Sequence, residues 1–167
     1  MTNRALTRGT PNQRRAYLSF LVGTRRYAVD IQHVFEVSNL VEISGVPDMP
    51  AAILGVVNIR GSIVPVLDLR IRFNMPNRDL LLSTPIVFLR HGQGKVGTYA
   101  IIVDDVEDVL TLFTDEINTS DLNKRAPHIV GMVEYKENLI MILDPVQLLG
   151  SSLEGQNAEE FVDQLHG

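Results

Sequence analysis

The sequence predicts an all-β fold built as two small five-stranded barrels with a few short helices. Three observations carry that prediction. From Tyr17 onward, short β-branched runs alternate with turn residues, the pattern of strands and not of a 3.6-residue period. The pattern occurs twice, because residues 55–68 lie over residues 131–144 without a gap at a shift of 76. Stretches with helical character are few and short.

Ten strands are expected, over residues 17–22, 27–31, 35–43, 54–59, 63–67, 85–90, 97–103, 107–112, 130–135 and 139–143. A polar break at 74–84, holding Asn74, Pro76, Asn77, Asp79, Ser83 and Thr84 around Leu80-Leu81-Leu82, divides them five from five and reads as a linker pinned at one point. Within the repeat, Val57 falls on Val133, Arg60 on Lys136, Ile63 on Leu139, Val66 on Ile142 and Asp68 on Asp144. Upstream, Tyr27-Ala28-Val29 falls on Tyr99-Ala100-Ile101, and Glu36 on Asp108, at a shift of 72. Any two β-hairpins share alternating Val and Ile; the order and near-constant spacing favour duplication. Two units of this size are small for independent cores and are expected to share apolar area, and closure into barrels removes exposed edges.

Short helices are expected at 68–73, at 51–54 after Pro50, and at 144–150. In the last, Asp144 suits the N-cap, Pro145 the first position and Gly150 the stop, and this helix is expected to cap the second barrel. The organisation read from the chain is an N-terminal arm (1–13), a folded domain (14–150) and a C-terminal tail (151–167). The folded domain divides into units at about 15–75 and about 84–150, between which strands can be exchanged. The acidic segment 159–165 is too short to hold a helix unless docked, and is expected to fray.

Composition narrows the function classes. The 167 residues carry 15 Lys+Arg against 20 Asp+Glu, a net charge of −5, and no cysteine. The acid excess weighs against a nucleic-acid partner. Without cysteine there is no thiol catalysis, disulfide or Cys-type zinc site, which fits a cytoplasmic protein. No apolar run reaches the ~20 residues that span a bilayer, so no direct membrane insertion is expected. His33, His91, His128 and His166 lack metal-ligand spacing, and neither a metal nor a cofactor is expected. Gly92-x-Gly94-x-x-Gly97 matches a dinucleotide fingerprint but runs into the β-branched Thr98 to Val103; it lacks the helix that holds a pyrophosphate and is expected to be a hairpin loop. Asp104, Asp105, Glu107 and Asp108 lack calcium-loop spacing and read as a solvated strand entry. An enzyme using Asp30, Glu36 or Asp104 as acid and base finds no companion nucleophile.

The most specific segment is 55–69, two strands meeting at Arg60-Gly61. Gly61 supplies the positive φ of a tight turn and leaves Arg60 at the tip in water; Pro65 marks an edge strand or bulge. Gly55-Val56-Val57-Asn58-Ile59-Arg60-Gly61, continuing through Pro65 to Asp68-Leu69, closely resembles the hairpin hallmark of the CheW-like domains of chemotaxis coupling proteins, with Ile59 in place of leucine. Tyr27-Ala28-Val29-Asp30-Ile31 with Val34, Glu36 and Val37 extends the resemblance. So do Val103-Asp104 with Val106, Asp108 and Val109, and the closing Gly131 and Leu143-Asp144; the coverage is roughly 15–150.

The resemblance implies two intertwined five-stranded SH3-like barrels, no catalytic activity, and a cytoplasmic adapter recruited to receptor arrays. Its partners are the cytoplasmic tip of a chemoreceptor and the regulatory domain of a CheA-type histidine kinase. Arg60 and Glu36 are expected close together at a partner-facing surface with Gly61 at the turn, the alternative being a plain surface salt bridge worth ~0–1 kcal/mol. Val34, Ile59, Val103 and Val106 are candidate apolar anchors around the groove between the barrels, or else core. The same fold also suits an adapter of a related chemosensory pathway controlling surface motility or another output, or an SH3-like module for peptides or RNA.

Overall fold

The computed structural model describes residues 12–90, 97–119 and 121–153, with Phe161 and Leu165. It is all-β, as predicted. The strands are β1 (Arg14–Val22), β2 (Arg25–Asp30), β3 (Val34–Asn39), β4 (Ile53–Ile59), β5 (Ser62–Asp68), β6 (Pro85–Arg90), β7 (Thr98–Ile102), β8 (Asp105–Phe113), β9 (Ile129–Tyr135) and β10 (Asn138–Leu143). Helices α1 (Leu69–Arg72) and α2 (Leu122–Arg125) lie between them, and α3 (Pro145–Ser152) follows β10. Most of the Gly92–Gly97 motif lies outside the described residues; the flanking β6 and β7 pair antiparallel, Arg90 opposite Thr98.

The strands form two five-stranded sheets, ordered β8-β1-β2-β10-β9 and β3-β6-β7-β5-β4. Each takes two strands from one repeat and three from the other, so the sheets do not follow the halves of the chain. The exchange is made at four pairs, β1 with β8, β2 with β10, β3 with β6 and β5 with β7; of these β2–β10 and β5–β7 are parallel, and every other strand pair is antiparallel.

Both sheets close by the same device. Beyond β3, Ser44 bridges Val56 of β4 through two backbone hydrogen bonds of 2.8 Å. Beyond β8, Asn118 bridges Met132 of β9 through bonds of 2.7 and 2.9 Å. The repeated Gly55 and Gly131 sit at these bridges: a Cβ would stand 2.1 Å from the Ser44 oxygen at the first and 2.5 Å from the Asn118 oxygen at the second. β3 stops at Asn39 and not at the expected 43: one further bond, Leu40 N–H to Thr84 C=O at 2.8 Å, joins it to the β6 side, and Thr84 N–H then turns to Leu81 C=O and does not return to the ladder. The expected 51–54 helix is a single turn closed by Ile53 N–H to Pro50 C=O, after which the chain enters β4.

Three apolar clusters follow. Tyr17, Ala28, Leu110, Leu112, Val133, Ile140 and Ile142 fill the first barrel. Val57, Val64, Val66, Ile86, Phe88, Ala100 and Ile102 fill the second. The largest lies between them and draws Phe20, Tyr27, Leu67, Leu89, Tyr99 and Ile101 from both sheets. Strands buried on two faces read as apolar runs without alternation, which is the pattern of β7. Each such side chain contributes about 1.5–3 kcal/mol by burial.

Asp68 and Asp144, equivalent in the repeat, both cap helices, accepting from Arg70 N–H and Val146 N–H at 2.9 Å. Helix α3 does not cap the second barrel as expected: Leu148 and Leu149 enter the central cluster, and the helix passes Gly150 to end at Ser152. The tail was expected to fray, yet Phe161 is fully buried in that cluster. The Leu80-Leu81-Leu82 triplet does not pin the linker by burial, since all three are exposed. The linker is held instead by Arg70, which donates to Pro76 C=O, and by Arg78, which pairs with Asp104.

Candidate partner-binding surface

Arg60 and Gly61 form the two-residue turn between β4 and β5, with φ of 50° and 83° and Ile59 opposite Ser62. Asn58 Oδ1 accepts from Gly61 N–H at 3.0 Å and rigidifies the tip. In the other repeat Lys136 and Glu137 take the same place at φ of 48° and 68°. No neighbour lies within 4 Å of a Cβ at Gly61, so glycine is there for the backbone twist of the hairpin and not for want of space.

Barrel closure places this tip. The Ser44 bridge ties the segment that follows β3 to β4, and Arg60 Nη2 reaches Glu36 Oε1 at 3.1 Å. The arginine side chain is 71% exposed and the glutamate 30%, so the pair adds little stability, within about 1 kcal/mol. Its effect is to fix the direction of a guanidinium that has further donors to offer.

The other expected residues divide. Val34 and Val106 are half-buried on the rim of the central cluster, and Ile59 is half-buried against the second barrel's interior. Val103 is 1% exposed inside the central cluster; it is core and offers no surface to a partner. Strand alternation placed it ambiguously because β7 leads into the seam between two barrels, where both faces are covered.

Two neighbours went unnoticed in the sequence. β3 shifts register between Val34, opposite Leu89, and Glu36, opposite Phe88, which leaves Phe35 on a bulge and 37% exposed. The Arg90 guanidinium lies 4.8 Å from the ring centroid and that of Arg60 lies 5.9 Å from it. A small hollow of about 120 Å³ is lined by Phe35, Ile59, Arg60, Ser62, Val64 and Thr98. A bulge re-aims a side chain without any change in strand composition, so strand-forming residues gave no signal for it.

The acids weighed for catalysis are each engaged in separate parts of the fold. Asp30 accepts from Gln32 N–H and pairs with Arg15 at 3.0 Å, and Glu36 pairs with Arg60. Asp104 is not a solvated entry residue: its carboxylate is 9% exposed and accepts from Arg70 at 2.9 Å, from Arg78 at 2.8 Å and from Gly23 N–H. A larger depression of about 500 Å³, lined by Gly23, Thr24, Arg25, Arg70, Phe73, Asn74, Met75 and Pro76, carries two arginines and no carboxylate or imidazole. Among the described residues no group of three His, Asp or Glu side chains is placed to hold a metal ion, and no helix is long and apolar enough to cross a membrane.

The closed, strand-exchanged pair of barrels has known counterparts. The chain is 31% identical over 138 residues to the chemotaxis protein CheW of Klebsiella aerogenes, covering 81% of each chain. It is 33% identical over 128 residues to CheW of Bacillus subtilis, covering 75% of this chain and 80% of that one. The crystal structure of the scaffolding protein TtCheW from Thermoanaerobacter tengcongensis superposes with a TM-score of 0.72 at 27% identity, over 81% of this chain and 92% of that one. The sequence profile of the CheW-like domain matches residues 16–153, and with the hairpin, the duplication and the exchanged barrels in agreement, the chain belongs to the CheW-like domain family.

Proposed function

We propose that this protein is a non-catalytic scaffold of bacterial chemotaxis signalling that couples the cytoplasmic tip of chemoreceptors to the regulatory domain of a CheA-type histidine kinase. The observation that carries the reading is the exposed Arg60 hairpin tip, braced by Glu36, on a CheW-like fold. Relatives of this fold bear the names chemotaxis protein and scaffolding protein.

In this reading the chain acts by position alone. One surface meets the receptor and another the kinase domain, and the core shared between the barrels makes them a single body that passes a change of angle from one partner to the other. The protein is cytoplasmic and reaches the inner face of the membrane by being held in receptor arrays. Contacts of roughly 1,200–2,000 Å² suit such docking, with multivalency in an array raising the effective affinity.

The test is a pull-down with a receptor tip fragment and the kinase regulatory domain, paired with a kinase assay with and without this chain. The expected result is capture of both and stimulated kinase in the ternary mixture. Arg60→Ala is expected to weaken one of the two contacts by about 2 kcal/mol, some 30-fold, as truncation of a central interface arginine does. Wild-type chain that captures neither partner, or full kinase stimulation without it, would overturn the proposal.

A further inference from the structure

We infer that Phe35 and Arg90 extend the Arg60 surface into a site for a carboxylate, presented by an α-helix of the docked receptor tip. The inference rests on the coupling function proposed above and names contacts beyond its motif residues.

The barrel itself does not require Phe35 on the surface. The register shift leaves it without a cross-strand partner, and its ring stands partly in water while the second barrel is filled by seven other side chains. What the ring does hold is two cations, the guanidiniums of Arg90 and Arg60. A guanidinium against an aromatic face is attracted by the ring's quadrupole, and its N–H donors stay available at the edge.

The charges around the ring do not balance. Glu36 is engaged by Arg60, and among the described residues Arg90 has no carboxylate partner. One positive charge is thus left over on a chain whose net charge is −5. A planar fork held against a ring matches a carboxylate in geometry as well as in sign. Beside it, the hollow of about 120 Å³ between Ile59, Val64 and Thr98 has room for an apolar side chain.

A helix suits this surface. β3 and β4 are the edge strands of their sheet, joined across the gap by the bridge from Ser44 to Val56. The groups that mark the site are the side chains of Phe35, Arg60 and Arg90, and a helix presents an apolar residue and an acid together at i and i+3 or i+4. An exposed bulge beside a hairpin tip meets such a ridge without rearrangement.

The experiment titrates a soluble chemoreceptor tip fragment, and separately the kinase regulatory domain, against wild type, Arg90→Gln and Phe35→Ala. It is done in about 0.05 M and about 0.5 M salt, which spans the range from weak to strong screening. Both residues are exposed, so melting curves matching wild type check that the variants fold. At low salt each variant is expected to bind the receptor fragment about 5- to 10-fold more weakly, the loss of one cation–π contact with its ion pair. For Arg90→Gln the deficit shrinks at high salt, and binding of the kinase domain is unchanged. Receptor affinity within twofold of wild type for folded Arg90→Gln at low salt overturns the inference while leaving the coupling function intact. So does a loss confined to the kinase domain, which would assign the carboxylate to that partner. Wild type that binds neither protein overturns the coupling function itself.

Discussion

His128 shows how one side chain responds to its surroundings. Its ring stacks on Phe73, with centroids 5.7 Å apart, and Arg72 Nη2 stands 3.4 Å from Nδ1. Burial first, and the Arg72 charge second, push its pKa below the ordinary histidine value. The neutral ring therefore belongs to the folded state, and the unfolded chain takes up the proton more readily. The contribution to stability is fully present above the unfolded value of about 6.5 and is lost as the pH falls below it toward the depressed folded value. Urea denaturation at pH 7.5 and pH 5.5 is expected to show wild type losing more stability on acidification than His128→Gln. Equal losses would show that the imidazole does not titrate differently on folding. Tyr99, fully buried with its hydroxyl donating to Pro145 C=O at 2.7 Å, is shifted well upward by the same cause, burial.

Among the elements, the bridges that close the barrels depend on what is missing from a residue. Gly55→Ala drives a methyl group into the Ser44 carbonyl, which is backbone and cannot swing aside. A destabilisation of about 2–3 kcal/mol is expected, in the range of overpacked sites, with a fall in the melting temperature of about 2–4 °C per kcal/mol. Gly150→Ala is the control. Gly150 lies within α3 with no neighbour inside 4 Å of the added Cβ, so the same substitution is expected to stabilise by up to about 1 kcal/mol through helix propensity. Chemical denaturation of both variants checks the pair, and a neutral Gly55→Ala would remove the closure argument. The Arg60 tip closes the same strand, β4, that the Ser44 bridge holds at Val56.

For the whole molecule, exchange of strands makes the two repeats interdependent. Residues 12–76 contain β1 to β5 but neither complete sheet, because β2 pairs with β10 and β5 with β7. Expressed alone at low micromolar concentration, 12–76 and 77–167 are each expected to lack cooperative unfolding and dispersed amide spectra, and to recover both on mixing. A natively dispersed spectrum from 12–76 alone would show that the exchange is not what holds the barrels. The interlock is also what the proposed coupling requires, since barrels joined only by a linker would absorb a receptor's motion and not transmit it.

Local chemistry made much of this legible in the chain. Alternating β-branched runs marked all ten strands, and Arg60-Gly61 marked the hairpin tip. Asp144-Pro145 marked the start of α3, and the 76-residue shift exposed the duplication along with the glycines and aspartates it repeats. Each of these depends on residues close together in sequence. Long-range pairing decided the rest: which sheet each strand joins, that Gly55 and Gly131 serve barrel closure, and that Val103 is core. It also set α3 and Phe161 in the seam between the barrels. The bulge at Phe35 and the approach of Arg90 to its ring belong with these. Side-chain pattern tells a strand which face is apolar, but a strand buried on both faces carries no alternation, and hydrogen-bond partners are chosen by backbone groups that every residue shares.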